Sequence, residues 1–273
     1  MITPNLTSDT FHQSYSLQHH QSNKGTQILI PDNHIHAILN LGDPIKKSVV
    51  GQFRTATIAT GELHIMGCQS RGMVLESPDL HFIDVKIKPT YSRLIFATHQ
   101  PFVRNESESQ VNLRLTSTED LIAYLNTSYD WESFDTDYIL EEAIAEIIDH
   151  AGEIKIKEVY EFLGISKSHL EQKFIQNIGL TAKEFAKIEK LNTFMINYGQ
   201  YRDSMNLTQL TFKSGYYDQS HFIKDFRYFM DLSPRNFFKS HAQFCLEPNH
   251  MQNASWKLFI LLIYIDCMVY SAE

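Results

Sequence analysis

Cysteine, glycine and proline are all scarce in this sequence, and each shortage excludes a class of protein. The three cysteines, Cys68, Cys245 and Cys267, lie far apart and form no Cys-x-x-Cys pair. This spacing argues against a disulfide framework or a structural zinc site and fits a reducing cytoplasm. With 11 glycines and 8 prolines among 273 residues, the chain also has no Gly/Ser or Pro tract of the kind that marks low-complexity segments.

The sequence also predicts neither a signal peptide nor a membrane span. Residues 1–17 are polar and lack the basic-then-apolar order of a signal peptide. The longest apolar run, residues 256–270, is interrupted by Lys257 and Asp266, and a membrane span needs about 20 residues. We therefore expect a cytoplasmic protein with no membrane partner, whose apolar tail docks on the protein itself or forms a dimer contact.

Catalytic patterns are equally scarce. No glycine loop that could cradle a phosphate occurs, and Glu106 and Glu108 fit a solvated loop better than a catalytic carboxylate pair. His34-x-His36 on a predicted strand invites a metal interpretation, because alternate strand residues share a face. The next residues, 37–41, contain no carboxylate. We expect structural histidines, no metal or other cofactor, and no catalytic residue.

The net charge of −8 is distributed unevenly along the chain. Residues 1–150 hold 10 basic and 19 acidic residues (net −9), residues 151–240 hold 13 and 10 (net +3), and residues 241–273 hold 1 and 3 (net −2). Only the middle segment can approach phosphates without repulsion. Its surplus permits nucleic-acid binding without demonstrating it.

Hydrophobic patterning divides the chain into two kinds of structure. Short strands are predicted at residues 28–30, 34–41, 55–59, 62–66 and 81–87. Such short, evenly spaced strands suggest a small β-barrel or sandwich. The pattern turns helical around 113–125. Residues 126–137 are predicted to form a connector, in which Asp135 or Thr136 caps the next helix. Later helices are predicted over 139–148, 156–163, from Ser166 onward and over 182–198.

The predicted fold class is therefore α+β, with an all-α part after the β-rich part. The expected domains are a β-rich sensory or regulatory domain at 1–125, a linker at 126–138, a helical domain at 139–242 and the apolar tail at 243–273.

The helical part contains an internal repeat. Ser168-His169-Leu170 recurs as Ser220-His221-Phe222, 52 residues later. The same offset relates Phe174 to Phe226, Leu180 to Leu232, Thr181 to Ser233 and Phe185 to Phe237; an offset of 51 relates Ile156 to Leu207, Val159 to Leu210 and Gly164 to Gly215. Each copy reads as a short apolar helix, a glycine turn and a second helix with a polar N-terminal face. This is the signature of a helix-turn-helix unit.

A pair of such units favours DNA as the ligand, because the second helix of each fits the major groove. The predicted contacts are Lys167, Ser168, Glu171 and Gln172 in the first unit, and Lys213, Gln219, Ser220, Lys224 and Arg227 in the second. Ser and Gln suit base edges, and Lys and Arg suit phosphates. One rigid connecting helix would place the two reading helices in successive grooves, roughly 34 Å apart.

The segment 215–227, followed by Leu232-Ser233-Pro234, resembles the signature of the AraC/XylS-type transcription regulators. The resemblance covers about residues 140–240. It implies a seven-helix DNA-binding domain with a linker helix near 183–198, and base contacts at Ser168, Glu171, Gln172, Gln219, Ser220 and Lys224. Departures from the family pattern are Asp231 for Gly, Phe238 for Arg, Gln172 for a basic residue, Thr181-Ala182 for Ser-Pro and Phe194 for a small residue.

The N-terminal half resembles, more loosely, the β-rich domain that precedes this DNA-binding domain in some relatives. The residues that carry this likeness include Ile30-Pro31-Asp32-Asn33 and Gly67. In relatives this domain senses a signal or mediates dimerisation. Expected partners are therefore double-stranded DNA, RNA polymerase, a small-molecule effector and a second copy of the chain.

The leading hypothesis is a sequence-specific DNA-binding transcription regulator, an activator by family habit, that receives a signal through its N-terminal domain. Two alternatives stay open at this point. One is a β-barrel enzyme that binds a metal or ligand through His34 and His36; the other is an interaction protein whose helical domain has lost DNA affinity.

Overall fold

The computed structural model describes residues 15–22, 25–96 and 108–241. Strands predominate up to residue 114, and helices make up the regular structure after it. The strands are β1 Tyr15–Ser22, β2 Thr26–Leu29, β3 Ile35–Asn40, β4 Ile45–Val49, β5 Thr55–Ile58, β6 Glu62–Met66, β7 Met73–Glu76, β8 Leu80–Ile87 and β9 Glu108–Arg114. The helices are α1 Ser92–Phe96, after a 3-10 turn at Pro89–Tyr91, then α2 Thr118–Ser128, α3 Tyr138–Asp149, α4 Ile156–Phe162, α5 Lys167–Asn177, α6 Ala182–Tyr201, α7 Leu207–Lys213, α8 Gln219–Met230 and α9 Pro234–His241. This order confirms the α+β prediction.

The strands form two antiparallel sheets. The larger has the order β1-β8-β3-β6-β9 and the smaller the order β2-β7-β4-β5. In the centre of the larger sheet, Ala37 of β3 lies opposite Val85 of β8 on one side and Ile65 of β6 on the other. Ile38 and Phe82 of the larger sheet share an apolar cluster with residues of the smaller one. The β-rich half is therefore a small sandwich, as its short strands predict.

Several strand boundaries differ from the sequence prediction. The strand expected at 34–41 starts at Ile35, and β1, β4, β7 and β9 were not predicted. β1 is a polar edge strand of the larger sheet, so it lacks an alternating apolar pattern. Lys47 of β4 is buried, with its Nζ 3.1 Å from Nε2 of His64. β4 was missed because a lysine on the buried face interrupts the apolar alternation by which a strand is predicted.

The helical boundaries agree more closely. The helix expected within 113–125 starts only at Thr118, after β9, and continues to Ser128. The next helix, α3, is capped by Asp137, whose side chain accepts a hydrogen bond from the Leu140 N–H, so the expected cap at Asp135 or Thr136 is wrong by one or two residues. Over the described residues α3–α9 are seven helices, as the family resemblance implies.

The larger of two apolar clusters joins the two halves of the molecule. The larger cluster of buried side chains runs from Ile28 in β2 to Phe237 in α9. Among the described residues, no helix is long and apolar enough to cross a membrane. The apolar run 256–270, Cys245, Cys267 and Glu106 lie outside the described residues.

Candidate nucleic-acid interface

The first helix-turn-helix unit consists of α4 and α5. The turn between them passes through Gly164 at φ 65°, a left-handed conformation that glycine adopts without a steric penalty. Ser166 then begins α5: its side chain accepts a hydrogen bond from the His169 N–H at 3.2 Å, as its position in the sequence predicts. Leu170 and Phe174 are fully buried, so the polar residues of the first turns lie on the opposite face.

The second unit, α7 and α8, repeats this local structure. Gly215 takes the turn at φ 76°, and Asp218 caps α8 by accepting a hydrogen bond from the His221 N–H at 2.7 Å. Phe222 and Phe226 are fully buried. The internal repeat in the sequence therefore corresponds to two copies of one helix-turn-helix structure.

Eight of the nine predicted DNA-contacting residues are exposed. They are Lys167, Ser168 and Gln172 in unit one, and Lys213, Gln219, Ser220, Lys224 and Arg227 in unit two. Lys213 is held by a neighbour, because its Nζ lies 4.5 Å from the ring centre of Tyr201. The exposed residues at the start of α8 form one polar surface. Their contact with DNA stays a prediction.

Glu171 is the predicted residue that is not fully exposed. One of its carboxylate oxygens, Oε2, is buried and accepts no hydrogen bond from any described residue. It lies in a cleft of about 240 Å³ that is lined by Ile156, Lys157, Tyr160, Lys167, Glu171 and Lys183. The Glu171 carboxylate is therefore only partly presented at the surface of the reading helix.

Lys157 and Lys183 in the same cleft were not among the predicted contacts. They belong to α4 and to the first turn of α6, outside the reading helix on which the sequence analysis concentrated. The signal that could have found them is their charge, since the segment 151–240 carries the only basic surplus of the chain.

The linker helix α6 connects the two units. It has 20 residues, which corresponds to about 30 Å. Thr181 and Glu184 form a capping box at its start, each side chain bonding the other residue's N–H, so the residue that replaces the family's serine keeps the capping role. Further along, Asn197 Nδ2 donates to Ser214 Oγ at 2.9 Å, which ties α6 to the end of α7.

Aromatic side chains pack α6 against unit two. The ring centres of Phe194 and Phe222 are 4.1 Å apart, and those of Tyr198 and Phe238 are 3.9 Å apart. Phe194 and Phe238 also contact each other, with ring centres 6.1 Å apart. Two of the departures from the family pattern, Phe194 and Phe238, therefore belong to one aromatic cluster and compensate each other.

The β-rich half contacts α6 and the end of α8. Asn33 Nδ2 donates to the Phe185 carbonyl at 3.0 Å, and the Gly72 N–H donates to the Phe229 carbonyl at 2.9 Å. The Arg71 guanidinium lies 4.5 Å from the ring centre of Tyr228. The hydrogen bonds between the two halves thus go to the linker helix and to the second reading helix.

The histidines considered for a metal site belong to an ion network. His36 places Nδ1 2.9 Å from Asp84 Oδ2 and Nε2 2.9 Å from Asp32 Oδ1, and Lys86 also bonds Asp32. Burial opposes the charged ring, but Asp84 and Asp32 outweigh it and raise the pKa of His36 to about 10. Both nitrogens are therefore engaged by carboxylates, whereas a metal requires a neutral imidazole.

His34 does not share a strand face with His36, because β3 starts after it; its Nδ1 lies 2.7 Å from the Asp32 carbonyl oxygen. Among the described residues, no group of three or more His, Cys, Asp or Glu side chains is arranged to hold a metal ion. The histidine pair has a structural explanation in the turn before β3.

Comparison with known proteins finds a match for most of the helical part. Residues 159–240 match the family model of a helix-turn-helix domain. Comparison with curated proteins gives no match. Among solved structures, ToxT from Vibrio cholerae is 12% identical, with a TM-score of 0.52 over 83% of this chain and 98% of that chain. Wild-type ToxT with a bound unsaturated fatty acid is 13% identical, with a TM-score of 0.52 over 82% and 95%. At this identity the likeness shows the shared fold.

Proposed function

We propose that this chain, a DNA-binding transcription regulator whose residues 159–240 form an AraC-type helix-turn-helix domain, reads a specific duplex sequence mainly through its second unit and activates transcription in response to a signal. The observation that carries the proposal is the duplicated geometry: two capped reading helices with polar, exposed first turns, joined by the single helix α6. A lone unit of this kind would be a much weaker indication.

The chemistry of unit two supports its role as the main reader. Gln219 and Ser220 at the start of α8 are exposed, and amide and hydroxyl groups suit hydrogen bonds to base edges. Lys224 follows one turn later and is also exposed, so it can reach a phosphate or a guanine. Unit one presents Lys167, Ser168 and Gln172, while its Glu171 is partly buried and lines the cleft described above.

Signal response is proposed for the β-rich domain, which we take as 1–125, ahead of a linker at 126–138 and the DNA-binding domain at 139–242. An effector could act only by binding one arrangement of the two domains better than another. The contacts of Asn33 and Gly72 with α6 and α8 provide a physical route for this effect. The fatty acid bound to ToxT supports a small-molecule effector.

RNA polymerase and a second copy of the chain complete the proposed partners, and the proposed site of action is the cytoplasm, where bacterial-type regulators meet DNA. Activation rather than repression follows the commoner habit of the family that the second unit resembles.

The test is selection of bound duplexes from a random pool, followed by affinity measurements on the selected sequence. We expect Gln219→Ala and Lys224→Ala to weaken binding about tenfold each, because a good base contact is worth about 1–3 kcal/mol. Glu171→Ala, on the reading helix of unit one, is expected to have a smaller effect. Equal, negligible effects of all three variants would refute the site assignment, and absence of salt-dependent binding to any duplex would refute the function.

A further inference from the structure

The second reading helix contains a buried carboxylate. Asp225 follows the exposed Lys224 on α8, yet it is 1% exposed. A buried carboxylate requires a partner because it has lost its hydration. Lys187 of α6 is that partner, with Nζ 2.6 Å from Asp225 Oδ1. The second oxygen, Oδ2, accepts no hydrogen bond from the described residues.

His221 occupies the position above this second oxygen. Its Nε2 lies 3.4 Å from Asp225 Oδ2, an ion-pair separation across one helical turn. The ring also stands edge-on to Tyr216, with ring centres 5.6 Å apart. Nevertheless 45% of the His221 side chain is exposed, on the same first turn as Gln219 and Ser220. The imidazole is therefore held on one side by Asp225 and Tyr216 and is open to solvent on the other side.

The charged and titratable groups around His221 come from several elements. On α8 they are Asp225, the capping residue Asp218 and the exposed Lys224. From α6 come Lys187, on Asp225, and Lys190, whose Nζ lies 5.0 Å from the ring centre of Tyr216. The α7–α8 turn contributes Tyr216, whose burial raises the pKa of its hydroxyl. Glu153 packs at Gly215 on the same turn.

The equivalent position in unit one lacks this arrangement. His169 has the same place in its helix as His221, and it is also exposed. One turn later, where unit two has Asp225, unit one has Lys173, which bonds Asp137 at the start of α3. No carboxylate therefore lies at the position that would orient His169 from the next turn.

We infer that His221 contacts DNA and that Asp225, held by Lys187, is the positioning residue that orients the His221 ring toward it. This inference rests on the proposed DNA-binding function and adds a contact that the sequence analysis did not identify. A carboxylate facing Nε2 favours a hydrogen on that nitrogen, which leaves Nδ1 for the ligand; no described residue bonds it.

Duplex DNA offers hydrogen-bond acceptors at every phosphate and at guanine N7 and O6. A histidine with both nitrogens protonated donates to such acceptors. DNA therefore binds the doubly protonated ring better than the neutral ring, and a lower pH favours binding. Phosphate and guanine share this acceptor chemistry. A contact with guanine depends on the base sequence of the duplex, whereas a contact with phosphate does not.

The experiment compares wild type, His221→Gln and His169→Gln on the selected duplex at about pH 6 and pH 8. Wild type is expected to bind more tightly at the lower pH. His221→Gln is expected to bind about tenfold more weakly than wild type at the lower pH, as loss of a charge-assisted hydrogen bond predicts, and to lose most of the pH dependence. His169→Gln, the matched control, is expected to keep it. If His221 contacts a base, His221→Gln relaxes the sequence preference at one position of the duplex; if it contacts a phosphate, His221→Gln lowers the salt slope of binding by about 1.

Asp225→Asn tests the positioning role, since it preserves size and removes the charge that faces the ring. We expect it to reduce the pH dependence while His221 is still present, with folding monitored by thermal unfolding. His221→Gln changes a half-exposed side chain, so it keeps the inference testable if Asp225→Asn does not fold. Wild-type binding that is unchanged by His221→Gln at both pH values would overturn the inference alone. Failure of the wild type to bind any duplex would overturn the proposed function as well.

Discussion

The two helix-turn-helix units share a backbone design and differ in what holds them. In unit one, Lys173 of α5 bonds Asp137 at the start of α3. In unit two, the register-equivalent Asp225 bonds Lys187 of the linker helix, so the charges are reversed and the partner element is different. Unit two also packs against the aromatic cluster around Phe194. The repeat therefore accounts for the fold of each unit, while non-repeated residues decide how each is attached.

This difference gives unit two the closer link to the rest of the molecule. Its reading helix receives a hydrogen bond from Gly72 at Phe229 and a guanidinium contact from Arg71 at Tyr228. Among the described residues, no hydrogen bond or ion pair joins residues 156–177 to the β-rich half. The unit that is closest to the family pattern is thus also the one in contact with the proposed sensory domain.

The largest effect is expected from Phe194→Ala. Phe194 is fully buried in the cluster that packs α6 on unit two, so its loss should lower the free energy of unfolding by about 3–5 kcal/mol. Urea denaturation measures the loss, and amide exchange should increase more in α8 than in α5. Phe162→Ala, at a 65% exposed position, is the control and should change stability by about 0.5 kcal/mol or less. Equal effects of both variants would contradict the packing argument.

The two reversed ion pairs should differ in strength. Lys187→Met leaves Asp225, whose side chain is 2% exposed, without its partner, and is expected to cost about 3 kcal/mol. Lys173→Met leaves Asp137, which is 25% exposed and can be hydrated, so about 1 kcal/mol or less is expected. Denaturation midpoints of the two variants in parallel give the comparison. A larger loss for Lys173→Met would reverse our ranking of the anchors.

The two turns should also respond unequally to an added methyl group. Gly164→Ala places an alanine in a left-handed conformation, with open space around its methyl group. The expected loss in the free energy of unfolding is about 1 kcal/mol. Gly215→Ala adds a clash, because its Cβ would lie 2.0 Å from Glu153 Cδ, and about 2 kcal/mol is expected. Thermal unfolding measures both. Adding Glu153→Ala should bring Gly215→Ala down to the level of Gly164→Ala, and no such recovery would disprove the clash.

The smallest effect is expected at the junction with the β-rich half. Arg71→Ala removes the contact with Tyr228, which is worth about 0.5–1 kcal/mol. Chemical denaturation of Arg71→Ala in the wild-type and Tyr228→Leu backgrounds isolates this contact. If Arg71→Ala lowers the free energy of unfolding by the same amount in the Tyr228→Leu background as in wild type, the contact does not contribute to the attachment of unit two.

The fold could be predicted from sequence where pattern and burial coincide. The strand at Glu62–Met66 and the cap at Ser166 were predicted at their observed positions. The polar edge strand β1 and the strand that buries Lys47 could not be, because their side chains are stabilised by partners distant in sequence. Alternation of apolar residues predicts a strand only when the buried face is apolar.

The candidate site shows the same limit. Helical periodicity predicted the outward face of each reading helix, and eight of the nine residues are exposed. Glu171 is the exception: it is partly buried and lines a cleft together with Lys157 and Lys183, which lie on other helices. Asp225 and His221 are four residues apart in the sequence, but only the position of Lys187 on α6 makes that spacing meaningful.

The hydrogen bond between Gly72 and Phe229 has a geometric consequence. Phe229 is at the far end of the 12-residue helix α8 from Gln219, a separation of about 15 Å along the axis. If α8 tilts about this junction, its Gln219 end moves furthest. A tilt of about 10° would displace the opposite tip by about 3 Å, close to the rise of one base pair. Under the signal response proposed above, a small rearrangement of the bend before Gly72 would move the N-terminal end of α8 by about the spacing of one base pair.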